Sequence, residues 1–142
     1  MKMMISLSVC VVALLWVVAR PQAHHAFAAE FDAEKKVTLE GTVVQMEWVN
    51  PHAWLTIDVP KDGTVEQWQL EFGPPNALFR RGWRKNSLLA DMKIKATAFL
   101  SKDGRKVANA DKVTLPDGTV FGAGAAGTGA PNDPEAAPGG AK

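Results

Sequence analysis

Three histidines, His24, His25 and His52, are the side chains of this 142-residue sequence best suited to holding a metal ion. Neutral imidazole is the commonest biological ligand for copper, zinc and nickel, and affinity for nitrogen sites rises toward copper. A chain beginning at His24 offers an α-amine and a ring nitrogen to one ion. His25 or His52 then completes a nitrogen-rich site, with Glu47 as an added oxygen donor. The expected ligands are His24, His25 and His52, and the expected ion is copper or another divalent transition metal. Reach is the constraint. A strand running from Val37 to Trp48 carries His52 about 40 Å from Val37, and the 13 residues from His24 to Lys36 extend back about 45 Å at most. The competing reading leaves His24 and His25 solvated and makes Asn50-Pro51-His52 a turn, in which Asn caps, Pro ends the strand and His bonds to backbone.

A second set of residues suits a ligand or a partner protein: Trp54, Arg80, Arg81 and Trp83. Trp68 alternates in phase with Leu70 and Phe72 and belongs in a core. Trp54 is out of phase with Leu55 and Ile57, so it belongs on the outer face of a sheet or beneath an N-terminal segment through Phe27 or Phe31. Arg80, Arg81, Arg84 and Lys85 form the densest basic cluster. Ion pairs from Arg80 or Arg81 to Glu71 or Asp58 are the structural explanation, and contact with an anion or a partner is the functional one.

Much is excluded. There is no phosphate loop, no Gly-x-Ser-x-Gly, no His-Glu-x-x-His and no close pair of acids, so the expectation is a non-enzyme. Sixteen basic against fifteen acidic side chains give a net charge of +1. Removing Lys2 and Arg20 with an export signal leaves 14 against 15, or −1, which argues against nucleic acid as a partner. The single cysteine, Cys10, falls in the same segment, so the mature chain carries no thiol, disulfide or cysteine metal site.

That segment, 1–23, reads as a cleavable signal peptide. It has a basic start, an apolar run over 5–19 too short to span a bilayer, and a polar exit with small residues at Ala19 and Ala23. The expected location is the periplasm, with no membrane span in the mature form. At the other end, 122–142 is so rich in Gly, Ala and Pro that it cannot bury enough surface to offset ordering, and it reads as a disordered tail.

The segment between, 24–121, must position the candidate residues, and its pattern is short alternating runs divided by turn signals. Strands are expected at 37–48, 53–59, 65–72, 92–100 and 107–115, with a final short one at 119–121. The first slips phase near Gly41–Val43, as a β-bulge does. Asp62-Gly63 signals a hairpin. A short helix is expected from Asn76, as N-cap, to Gly82, as the left-handed residue after the last turn. Five or six strands with one helix between the third and fourth is the layout of a small OB-like antiparallel barrel.

Four motifs in order, His24-His25-Ala26-Phe27, Glu47-Trp48-Val49-Asn50-Pro51-His52, Pro75-Asn76-Ala77-Leu78-Phe79-Arg80-Arg81-Gly82-Trp83 and Val113-Thr114-Leu115-Pro116-Asp117-Gly118, resemble a family of exported proteobacterial proteins built on a domain of unknown function. The resemblance spans 24–121. It implies export, an OB-like β-barrel and cleavage after Ala23, and it carries no established activity. The usual Gly-Asp before strand four is here Ala90-Asp91. The combined expectation is a periplasmic, non-enzymatic binding or accessory module that takes a transition metal through its histidines. The alternative is a metal-free module that binds a small ligand or a protein through surface Trp and Arg. In either case an envelope oxidoreductase or another periplasmic protein is the expected partner.

Overall fold

A computed structural model describes residues 27–124. The expected signal and its cleavage points, His24, His25, and the tail from 125 onward lie outside the described residues. The elements are α1 (Phe27–Glu30), β1 (Phe31–Glu47), β2 (Trp54–Lys61), β3 (Thr64–Glu71), α2 (Pro75–Arg80), β4 (Lys93–Ser101), β5 (Val107–Thr114) and β6 (Val120–Gly122). Among the described residues no helix is long and apolar enough to cross a membrane.

The strands form one sheet in the order β3-β2-β1-β4-β5-β6, and a further pairing of β3 with β5 closes a ring of hydrogen bonds through the first five. Every junction is antiparallel except β3–β5. Parity requires the exception, since five strands in a ring cannot alternate direction all the way round. The β2–β3 hairpin turns at Asp62-Gly63, whose φ angles of 51° and 78° suit a two-residue turn between Lys61 and Thr64.

Inside the ring, Leu39 and Val43 of β1, Leu55 and Ile57 of β2 and Leu70 of β3 face Ala96 and Ala98 of β4 and Ala108 and Ala110 of β5. Large side chains meet small ones, which lets strands of one ring approach closely. The helix α2 lays Leu78 against this core, and Phe79 stacks on Trp48 with ring centroids 5.0 Å apart. A smaller cluster of Phe27, Phe31, Phe99 and Val107, with Trp54 packed against it, seats α1 on the outer side of the sheet.

Four local expectations are corrected. The phase slip in β1 lies between Val43 and Gln45, where Val44 is the extra, exposed residue, and not at Gly41–Val43. β1 begins at Phe31, well before Val37: Phe31 pairs with Ser101 of β4, and after an irregularity the pairing resumes at Lys36. Helix α2 begins at Pro75 after an extended Pro74 with no side-chain cap, so Asn76 is an exposed first-turn residue; Gly82, at φ +96°, has the expected left-handed conformation. The folded segment also runs past Phe121. Gly122 ends β6, and Ala123 is fully buried, donating to the Asp111 carbonyl (2.8 Å) and accepting from the Gly73 amide (2.9 Å).

A histidine–glutamate cleft as the candidate functional site

Asn50-Pro51, joined by a cis peptide bond, ends the excursion from β1, and His52 follows. The backbone beyond it is fixed: Ala53 is fully buried, its amide donates to the Gly73 carbonyl (3.2 Å) and its carbonyl accepts from the Phe72 amide (2.8 Å). Glu71, the last residue of β3, sits where the ring closes, in register with Trp54 of β2 on one side and Asn109 of β5 on the other. His52 Nδ1 is hydrogen-bonded to Glu71 Oε1. The pair is well covered, with 13% of the His52 side chain and 9% of the Glu71 side chain exposed. Both line a cleft of about 250 Å³ together with Trp54, Asn50 and Glu30.

Glu30 brings the N-terminal segment to this cleft. Its carbonyl accepts from the Lys102 amide (2.9 Å), its carboxylate pairs with Arg105 (3.1 Å), and Lys102 Nζ donates to the Ala28 carbonyl (2.5 Å). The β4–β5 turn thus straps α1 down, while Phe27 is buried against Phe99 edge to face, centroids 5.3 Å apart. This changes the reach expected of the histidines. Distance along β1 is large, but the ring carries β2 and β3 round to the strand's beginning, so Glu30 and His52 line one cleft.

Of the other candidate residues among those described, only Trp54 is gathered there. Trp54 is half-buried against the α1 cluster, on the outer face as its phase implies. Trp83 is a core residue: it is fully buried, its indole N–H donates to the Gly122 carbonyl (2.8 Å), and its ring meets Phe72 and Phe121. It has no surface to offer a ligand, which corrects its place in the binding set. Arg81 donates to the Gly124 carbonyl, and Arg84 donates to the Phe79 (3.1 Å) and Trp83 (2.7 Å) carbonyls. The expected partners are otherwise engaged, Asp58 by the Gln67 amide (3.2 Å) and Glu71 by His52. Arg80 and Lys85 are exposed, and so is Glu47, opposite Trp54 in the β1–β2 register. Among the described residues no group of three or more His, Cys, Asp or Glu is drawn together around a metal position. A larger groove of about 400 Å³ crosses β1 and β4 at Glu40, Gly41, Lys93 and Lys95, far in character from the cleft: its one ion pair, Lys95–Glu40 at 2.7 Å, is solvent-exposed.

Glu71 and Glu30 were not foreseeable as site residues. Alternation places Glu71 with Gln67 and Gln69 on the outer face, and only the loop through His52, folding over the strand end, buries it.

The fold and cleft define a small β-ring protein with a half-buried His–Glu pair at the ring's closure. The chain belongs to the family of unknown function DUF6152, whose model matches residues 12–110, a span that holds His24, His25, His52, Trp54 and Glu71. No curated protein matches the chain.

Proposed function

We propose that this protein is an exported, OB-like barrel acting in the periplasm as a non-enzymatic binding module, and that its cleft takes a divalent transition metal, copper foremost, through His52 together with His24 and His25. The OB-like reading is supported by the ring order β1-β2-β3-β5-β4 and by a helix between β3 and β4. One observation carries the metal reading: α1 is strapped beside the cleft that holds His52 and Glu71. His25 precedes the buried Phe27 by two residues, about 7 Å of extended chain. After cleavage at Ala23 the α-amine and imidazole of His24 add two more nitrogen donors. An envelope oxidoreductase system is the proposed setting. The metal-free alternative, a protein- or ligand-binding module, keeps Trp54 and Arg80 but has less to work with, because Trp83 is buried and Arg81 is bonded to backbone.

Intact mass of the exported protein is expected to correspond to a chain starting at His24. That material, stripped with chelator, is titrated with Cu(II), Zn(II) and Ni(II) by calorimetry beside His52→Ala and a form with Ala added before His24. Copper should bind most tightly at any nitrogen site, so the coupling is the informative result. Both changes should weaken binding strongly, and metal should raise the wild-type melting temperature. Unchanged affinity in His52→Ala removes His52 from the site, and unchanged affinity in both forms rejects the metal reading.

A further inference from the structure

We propose that the groove across β1 and β4 is a binding site for a small amphipathic anion, an apolar body carrying one carboxylate, independent of the His52 cleft. The two lie at opposite ends of β2: Trp54 at its start lines the cleft, and Pro60 near its end lines the groove. At about 400 Å³ the groove is the larger of the two, and cavities of about 300–1,000 Å³ are the size that holds small ligands. Its floor follows from register. Gly41 of β1 stands opposite Ile94 of β4, and position 41 has no room for a side chain, since a Cβ there would lie 2.7 Å from the Asp58 carbonyl oxygen. At that point the β1 wall is bare backbone, and Ile94, Pro60 and the half-buried Leu115 supply the apolar surface around it.

Alternation sets the rim. With Ile94 and Ala96 buried, Lys93 and Lys95 are turned outward on β4 and exposed. Lys95 is offset by Glu40 at 2.7 Å. Lys93 pairs with no carboxylate among the described residues, and it stands opposite the half-buried Thr42, which also lines the groove. On the far side of Thr42, Asp58 is engaged by the Gln67 amide (3.2 Å). Solvation alone accounts for lysines on a strand face, but not for an apolar hollow between them. One ammonium and one hydroxyl beside an apolar floor suit a single negative head group, because a charge-assisted bond forms there without displacing an existing ion pair. The apolar walls then supply the affinity, and Lys93 supplies the preference for sign.

The test titrates the ¹⁵N-labelled processed protein at neutral pH with decanoate, decanol and decyltrimethylammonium, each below the concentration at which it aggregates. Decanoate should shift the amide signals of Gly41, Ile94 and Leu115 and leave those of Trp54 and Glu71 in place. Decanol should bind at the same residues more weakly, and the cation most weakly of the three. Lys93→Met keeps the length of the side chain and drops its charge. It should weaken decanoate about fivefold, the upper size of an exposed ion pair, and leave decanol unchanged. Absence of decanoate shifts at the groove rejects the site, and so do shifts that gather at Trp54 and Glu71 instead. Equal affinity of the wild type for decanoate and decanol rejects the anionic head group, a comparison that needs no variant. Wild-type decanoate affinity in Lys93→Met removes Lys93 as the group that holds it.

Discussion

Gly41 of β1 passes so close to Asp58 of β2 that a Cβ atom at position 41 would stand 2.7 Å from the Asp58 carbonyl oxygen. The obstacle is backbone, which cannot swing aside as a side chain can. Gly41→Ala should therefore force the β1–β2 pairing apart, at a cost of about 1–3 kcal/mol. Urea unfolding of the variant checks this, and a midpoint equal to wild type would mean the two strands separate freely.

Gly41 also shows how far the sequence could be read. A glycine beside a phase change suggests a bulge, and a bulge exists, but at Val44, while Gly41 serves a close approach that no periodicity encodes. Strand existence, the Asp62-Gly63 turn, the left-handed Gly82 and the outward phase of Trp54 are local matters of alternation and φ preference, and they were legible. Ring closure is not local. The parallel β3–β5 junction, the burial of Glu71 and the placing of Glu30 and His52 along one cleft depend on which strands become neighbours. For the same reason Trp83, in a loop after a helix beside two arginines, resembled a surface aromatic although it fills the core.

Trp83→Phe tests that reassignment. The change keeps an aromatic ring against Phe72 and Phe121 but removes the donor to the Gly122 carbonyl. Leaving that acceptor unpaired, with some lost packing, should cost about 1–3 kcal/mol. Melting should fall, and zinc affinity measured below the transition should stay at the wild-type value. Weaker zinc binding without a change in melting would return Trp83 to the binding set.

Asp103 gives the pH dependence a sign. The Ser101 hydroxyl (2.6 Å) is the main cause that holds its carboxyl down from 3.8 to about 2, followed by the Arg105 backbone amide (3.0 Å) and the Arg105 guanidinium. The folded value lies below the unfolded one, so the charge stabilises the fold above about pH 4 and that contribution disappears as pH falls through 2. The melting-temperature gap between wild type and Asp103→Asn should be steady from neutral pH to about 5, then close between pH 4 and 2. The group is exposed, so the gap should be small and should shrink in high salt. A gap that persists at pH 2 would mean the side chain acts through something other than its charge.

Residues 122–124 separate two truncation points that should behave differently. Gly122 accepts from the Trp83 indole, Ala123 bonds in both directions to Asp111 and Gly73, and the Gly124 carbonyl accepts from Arg81. A chain ending at Phe121 loses all of these and leaves the Trp83 and Gly73 N–H groups without their partners, which should cost on the order of 3 kcal/mol. A chain ending at Gly124 keeps every one of them and removes only a segment of Gly, Ala, Pro and a few polar residues, with no large apolar side chain to bury. Thermal melts of the two truncations beside the full chain should show the Gly124 form unshifted and the Phe121 form lowered by many degrees. If the Gly124 form also melts several degrees low, residues 125–142 pack on the domain, and the composition-based reading of that segment is wrong. If the Phe121 form melts with the full chain, the hydrogen bonds of Gly122 and Ala123 contribute nothing that β5 and α2 do not already provide.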